Sequence, residues 1–237
     1  QAQSGTLRLA NGGISSGSYS ATPGATLDLG GGTHAISLTA ASSIGGGGTV
    51  RVSGGTTTVG GSGSYAVNGT TDLTGGTLNM NLGGATANLT FSGGTLSGSG
   101  GLTVTNVMTW TDGTQSGSGS GATTIASGAV LNVSATGSCA GTGARLTGRT
   151  LNVAGAATLT GTTTLCVDNG AIINNSGLFD VISNVNVDIW AGGTRNAVLT
   201  NTGTLRKSGG AGASTWSSVA VNNAGTVQAQ SGTLRLA

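Results

Sequence analysis

An apolar–polar–apolar triplet recurs along this chain, and no other feature of the sequence constrains its fold as tightly. It appears as Leu7-Arg8-Leu9, Leu27-Asp28-Leu29, Val50-Arg51-Val52, Leu78-Asn79-Met80, Leu102-Thr103-Val104, Leu131-Asn132-Val133, Leu151-Asn152-Val153 and Val227-Gln228-Ala229. Alternation with a period of two marks a strand with one buried face. As far as Leu151 the intervals between triplets are irregular but centre in the low twenties, and most triplets have Gly one or two positions ahead. Weaker pieces of the same kind, Ile36-Ser37-Leu38, Tyr65-Ala66-Val67 and Leu89-Thr90-Phe91, fall between them. Each period of twenty-odd residues therefore holds two or three short strands separated by Gly, Ser and Asn turns.

Composition removes the alternatives. Of 237 residues 48 are Gly and one is Pro, charged residues are 6%, and the acidic set is Asp without Glu. No run of good helix formers can be written from such material. Disordered chains are typically charged, Pro-rich and poor in apolar alternation, the reverse of what is seen. The expected class is all-β: a parallel β-helix, or β-solenoid, of roughly ten coils of about 22 residues. One coil cannot bury its apolar side chains alone. Stacking coils places Leu on Leu and Val on Val in a continuous narrow core and pairs each strand backbone with its neighbours. At a strand spacing of about 4.8 Å, ten coils extend about 48 Å.

A longer period lies over the short one. QAQSGTLRLA at residues 1–10 recurs unchanged at 228–237, an offset of 227. This is read as one complete long tandem repeat over 1–227, forming a solenoid segment, with 228–237 starting the next copy; the alternative is a single duplicated decapeptide closing an otherwise unique domain. The array would continue in both directions, so any signal peptide or anchor would lie outside this stretch. The expected partners are further copies of the same repeat, head to tail in a covalent array or filament. Residues 228–237 of one copy would take the place of residues 1–10 of the next.

Three sets of side chains carry specific expectations. Asn175-Ser-Gly-Leu-Phe, Asn201-Thr-Gly-Thr-Leu and Asn223-Ala-Gly-Thr-Val share one pattern at steps of 26 and 22. Asn175, Asn201 and Asn223 are expected to form a structural ladder at one corner, with sugar binding as the alternative. Cys139 and Cys166 are separated by about one coil plus a small insertion. Stacked coils suit the Cα separation of a disulfide. Two free buried thiols, or a metal site, remain the other readings, and the single His34 is far away in sequence. Arg8, Asp28 and Arg51 occupy the middle of successive triplets and are expected to form one outward charge column, each exposed pair contributing at most about 1 kcal/mol.

Chemistry beyond this is hard to write. The net charge of +2 comes from singly scattered Arg and Lys207, with no basic patch for nucleic acid. No segment approaches the run of consecutive apolar residues that a membrane span needs, and seven aromatics cannot build two girdles, so no membrane insertion of this segment is expected. The carboxylates are Asp28, Asp72, Asp112, Asp168, Asp180 and Asp188. Only the last three fall within about one coil of one another, and Asp180 and Asp188 read as outward strand residues rather than a dyad. The expectation is no enzyme, no catalytic residue, no metal and no cofactor; a Gly-Gly-x-Gly-x-Asp calcium array is missing. Thr56-Thr57-Thr58 and Thr162-Thr163-Thr164 are the only Thr triplets, too few for an ice-binding face. Trp110, Trp190 and Trp216 would be sugar platforms if exposed together, but core packing is the preferred reading.

Several segments resemble the long repeats of giant bacterial surface proteins. They are Ser92-Gly-Gly-Thr-Leu-Ser-Gly-Ser-Gly-Gly-Leu-Thr-Val, Met108-Thr-Trp-Thr-Asp-Gly-Thr-Gln-Ser-Gly-Ser-Gly, Gly148-Arg-Thr-Leu-Asn-Val-Ala-Gly, and the closing stretches from Leu199 and Val221. The resemblance implies a filamentous-haemagglutinin-like or adhesin-like polypeptide, extracellular on the bacterial cell surface, with a right-handed parallel β-helix. The function this points to is a structural repeat of an extracellular fibre, stalk or sheath. The alternative is an adhesive module that binds cell-surface glycan or protein along one solenoid face. An exposed Trp or Asn column would favour adhesion; a face of Ser and Thr would favour the stalk.

Overall fold

A computed structural model describes residues 1–117, 120–137, 139, 142–189 and 192–237. Trp190 lies outside the described residues. All regular elements among the described residues are strands, and their pairings are parallel. The chain is a β-solenoid with three faces, visited in the same order in every coil.

On the first face Thr6–Leu9 pairs with Thr26–Leu29, which pairs in turn with Thr49–Val52. Following the register onward gives one inward column: Leu7, Leu27, Val50, Thr71, Leu89, Met108, Leu131, Ala157, Phe179, Leu205 and Val227. From Leu7 to Val227 the column takes ten steps, so a coil holds about 22 residues on average, and the steps on this face range from roughly 18 to roughly 26 residues. The second face carries Leu78, Leu96, Gln115, Leu146 and Val167 in one such column, and the third Leu151, Ile173, Leu199 and Val221. Because apolar side chains stack in register, one apolar core runs from Leu29 to Val219 without interruption.

Coil length decides how the corners are made. Where the coils are shortest the strands run round the corners, as in Gly84–Ser97 and Gly101–Ser116, each of which contributes to all three faces. Where they are longest, more residues separate successive strands, as between Val130–Ala135 and Ala144–Thr147. At the corner between the third and first faces Gly155, Gly177, Gly203 and Gly225 stack, and a Cβ on Gly177 would overlap the carbonyl oxygen of Gly155. That close backbone approach is why Gly recurs at this point of the coil.

The triplets do not form one series, as their spacing had implied. Leu7, Leu27, Val50, Leu131 and Val227 belong to the first face, Leu78 to the second, and Leu102 and Leu151 to the third. The longest intervals, from Val50 to Leu78 and from Leu102 to Leu131, each add a change of face to a whole coil. All three faces use the same alternating pattern, so period alone cannot separate them.

Candidate functional site

The Asn side chains sit just ahead of the glycine corner. Asn175 Nδ2 donates to Asn201 Oδ1 at 2.7 Å and to the carbonyl of Thr204 at 2.9 Å. Asn201 Nδ2 donates to Asn223 Oδ1 at 2.6 Å and to the carbonyl of Thr226 at 3.1 Å. Asn175 and Asn201 are buried, at 1% and 0% exposure, so the ladder points into the rod. Both amides donate in the same axial direction, toward residue 223. The ladder starts where Val153 and Ile125 hold the equivalent place in earlier coils, which leaves Asn175 Oδ1 without a donor among the described residues. Buried amides that bond one another and the corner carbonyls hold register; they present nothing to a sugar.

Cys139 and Cys166 are joined in a disulfide with their Cα atoms 5.6 Å apart. They are not equivalent positions of adjacent coils, because the register partner of Cys166 is Arg145. The bond instead ties the corner loop after Ala135 to the buried strand of the next coil. The same loop is held from the preceding coil by Asp112, whose Oδ1 accepts from the backbone N–H groups of Gly113 at 2.6 Å and Gly143 at 2.7 Å.

Arg8, Asp28 and Arg51 are successive register partners, and the column goes on to Asp72. Its ion pairs are Arg8–Asp28 at 3.5 Å and Arg51–Asp72 at 2.7 Å, while Asp28 Oδ1 also accepts from Ser53 Oγ. The sequence hides Asp72 because Ser64–Leu73 turns a corner as one unbroken strand. Further along the column Asp180 meets Arg206 at 2.6 Å and accepts from Ser208 Oγ at 2.9 Å. The hydrogen bond with Asp180 raises the Arg206 pKa. Asp168, fully buried, pairs with Arg145 at 3.2 Å. Among the described residues, Asp28, Asp72, Asp168 and Asp180 are thus each held by an arginine.

Arg149 and Lys207 lie inside the rod, and the sequence reading assigned neither. Arg149, 1% exposed, donates to the carbonyls of Gly98, Gly100, Ser116 and Ala122 and to Thr123 Oγ1, clasping three coils. Burial pulls its pKa down to about 10. Lys207 stands in an inward column between Val181 and Ala229. Its ammonium donates to the carbonyls of Ser183, Gly209 and Gly210 and to Asn184 Oδ1, and burial lowers its pKa. Both side chains end in cages of corner carbonyls, whose partial charges replace a carboxylate partner.

His34, Trp110 and Trp216 are internal. His34 is 3% exposed, with Nε2 at 3.2 Å from the Leu9 carbonyl. Trp110 is fully buried, stacked on Phe91 with centroids 5.9 Å apart, and Trp216 meets Phe179 edge-on. Neither can be a sugar platform. A feature that the sequence reading missed is a Thr column on the second face, Thr33, Thr56, Thr77, Thr95 and Thr114, spread over unequal steps. Among the described residues no three His, Cys, Asp or Glu side chains cluster as metal ligands.

The apolar side chains of the first and last coils are more exposed than those between them. Leu7 is 41% exposed and Ile14 92% at one end, Val227 and Leu236 each 39% at the other. No family model matches the chain, and neither a curated protein nor a solved structure matches it.

Proposed function

We propose that the chain is a stiff structural repeat of an extracellular bacterial fibre, stalk or sheath, of the filamentous-haemagglutinin-like or adhesin-like kind, and that it is not an enzyme. One observation carries this reading: the apolar columns run without a break through about ten coils stacked in register. Coils of this kind bury their apolar side chains only against neighbouring coils, and the decapeptide shared by residues 1–10 and 228–237 points to a further copy of the repeat as the neighbour. The chemistry inside agrees. Asn ladder, buried Arg149, buried Lys207 and disulfide all tie coil to coil, and none faces a cleft.

Adhesion along one face is the second reading. It is favoured by a partial outward Asn column on the third face, where Asn174 Nδ2 reaches Asn152 Oδ1 at 2.9 Å and Asn222 follows after Thr200. The buried Trp and Asn side chains weigh against it. Electron microscopy of the native assembly separates the two. Continuous rods with an axial repeat of about 50 Å per copy support the structural reading. Isolated particles that capture glycan on an array would refute it in favour of adhesion.

A further inference from the structure

The duplicated decapeptide occupies two different faces of the same rod. Its first copy places Thr6–Leu9 on the first face, paired with Thr26–Leu29. Its second copy places Thr233–Leu236 on the second face, paired with Ala213–Trp216 through Thr233↔Ala213, Ser214↔Leu234, Thr215↔Arg235 and Trp216↔Leu236. The first-face strand just before it is Thr226–Ala229, ten coil steps beyond Thr6–Leu9. From there the chain advances one more face before the decapeptide's strand recurs. The long period therefore spans ten coils and one third.

We infer that successive copies in a covalent array are rotated by about 120° about the rod axis, in the direction in which the coils wind. The inference rests on the tandem-repeat reading given above. The seat for the next copy is already on view. Leu7 is exposed in the first decapeptide, but its counterpart Leu234 packs against the main core, and the counterpart of Leu9 lies beside Trp216. Continuing from there, the strand equivalent to Gly12–Ser15 falls on the third face and the next on the first. Each copy rises about 50 Å, and a given side chain returns to the same side of the rod only every third copy, about 150 Å on.

This sets what a lateral partner meets. The Arg8–Asp28–Arg51–Asp72 column and the outward Asn152 and Asn174 side chains appear on each side of the fibre once in three copies, and each side presents the same set. A fibre built this way has no privileged face. Lateral neighbours, or a receptor engaging several copies, must match a spacing of about 150 Å.

Cysteine pairs test the seating in the full chain. Thr215→Cys with Arg235→Cys joins outward register partners and should cross-link nearly completely, as read by peptide mapping of the oxidised protein. A period of ten whole coils would return Arg235 to the first face, above Arg206. Cross-linking of Arg235→Cys to Arg206→Cys, and not to Thr215→Cys, would overturn the inference. Helical reconstruction of the native fibre supplies the second measurement. A rotation of about 120° for each rise of about 50 Å supports it; rods of the same rise with no rotation overturn it while leaving the tandem-array reading intact. Absence of any axial repeat would overturn that reading instead.

Discussion

Gln115 gives the sharpest test of the core. It is fully buried in a second-face column between Leu96 and Leu146, and among the described residues neither Oε1 nor Nε2 has a hydrogen-bond partner. Leaving a buried polar group unpaired costs about 1–3 kcal/mol. Gln115→Leu removes both orphan atoms and inserts the side chain already accommodated one coil on either side, so overpacking is avoided. The expected result is stabilisation by about 2 kcal/mol, seen as an upward shift of about 4–8 °C in Tm for a chain of this size. Urea unfolding followed by far-ultraviolet circular dichroism reads the same quantity, provided the slope is unchanged. Gln115→Ala is the control: it removes the same polar atoms but leaves a cavity, so it should be neutral or destabilising. Destabilisation of more than about 1 kcal/mol by Gln115→Leu would refute the reasoning, because it would mean that the amide is satisfied in solution.

Further outcomes follow from the ties between coils and from buried polar groups. Asn201→Val removes the bonds from Asn175 and to Asn223 and Thr226, and should cost about 2–3 kcal/mol. The triple change of Asn175, Asn201 and Asn223 to Val leaves no orphan amide and should cost less than the sum of the single variants in a urea-unfolding cycle. Breaking the disulfide with Cys139→Ser and Cys166→Ser should lower stability by about 3–4 kcal/mol for a separation of 27 residues, read by unfolding with and without reductant. Arg149→Met should cost about 3 kcal/mol and speed amide exchange around residues 98–100 and 120–123, where its carbonyl partners lie. Burial raises the Tyr65 phenol to about 12 while its hydroxyl bonds Thr71 Oγ1. The folded value lies above the unfolded one, so this stability is complete below about pH 10 and is lost as pH rises toward about 12, about 3 kcal/mol in all; tyrosinate absorbance should show a late-titrating phenol.

The class of fold was legible because it depends on period and composition. Alternating triplets, abundant Gly and the shortage of helix formers admit only short strands, and twenty-odd residues per period suits coils that stack. The pattern around Asn175, Asn201 and Asn223 was legible for the same reason, since one corner of constant geometry demands the same Asn and Gly in successive coils. Cys139 and Cys166 could be paired as neighbours from their spacing, but not placed: the bond runs from a corner loop to a strand, and loop length is invisible to periodicity. Asp72 escaped because Ser64–Leu73 rounds a corner as continuous strand. Lys207 escaped because a charged residue beside Arg206 reads as solvated, whereas its position in the alternation turns it inward, and only the carbonyl cage at residues 183 and 209–210 makes that tolerable.

The sequence by itself determined that this chain forms parallel stacked coils, since no other arrangement buries its apolar triplets and satisfies so uncharged a backbone. Tertiary structure alone decided which face each triplet occupies. Face identity depends on the sum of all preceding corner lengths, and unequal coils let that sum drift by a third of a turn between two identical decapeptides.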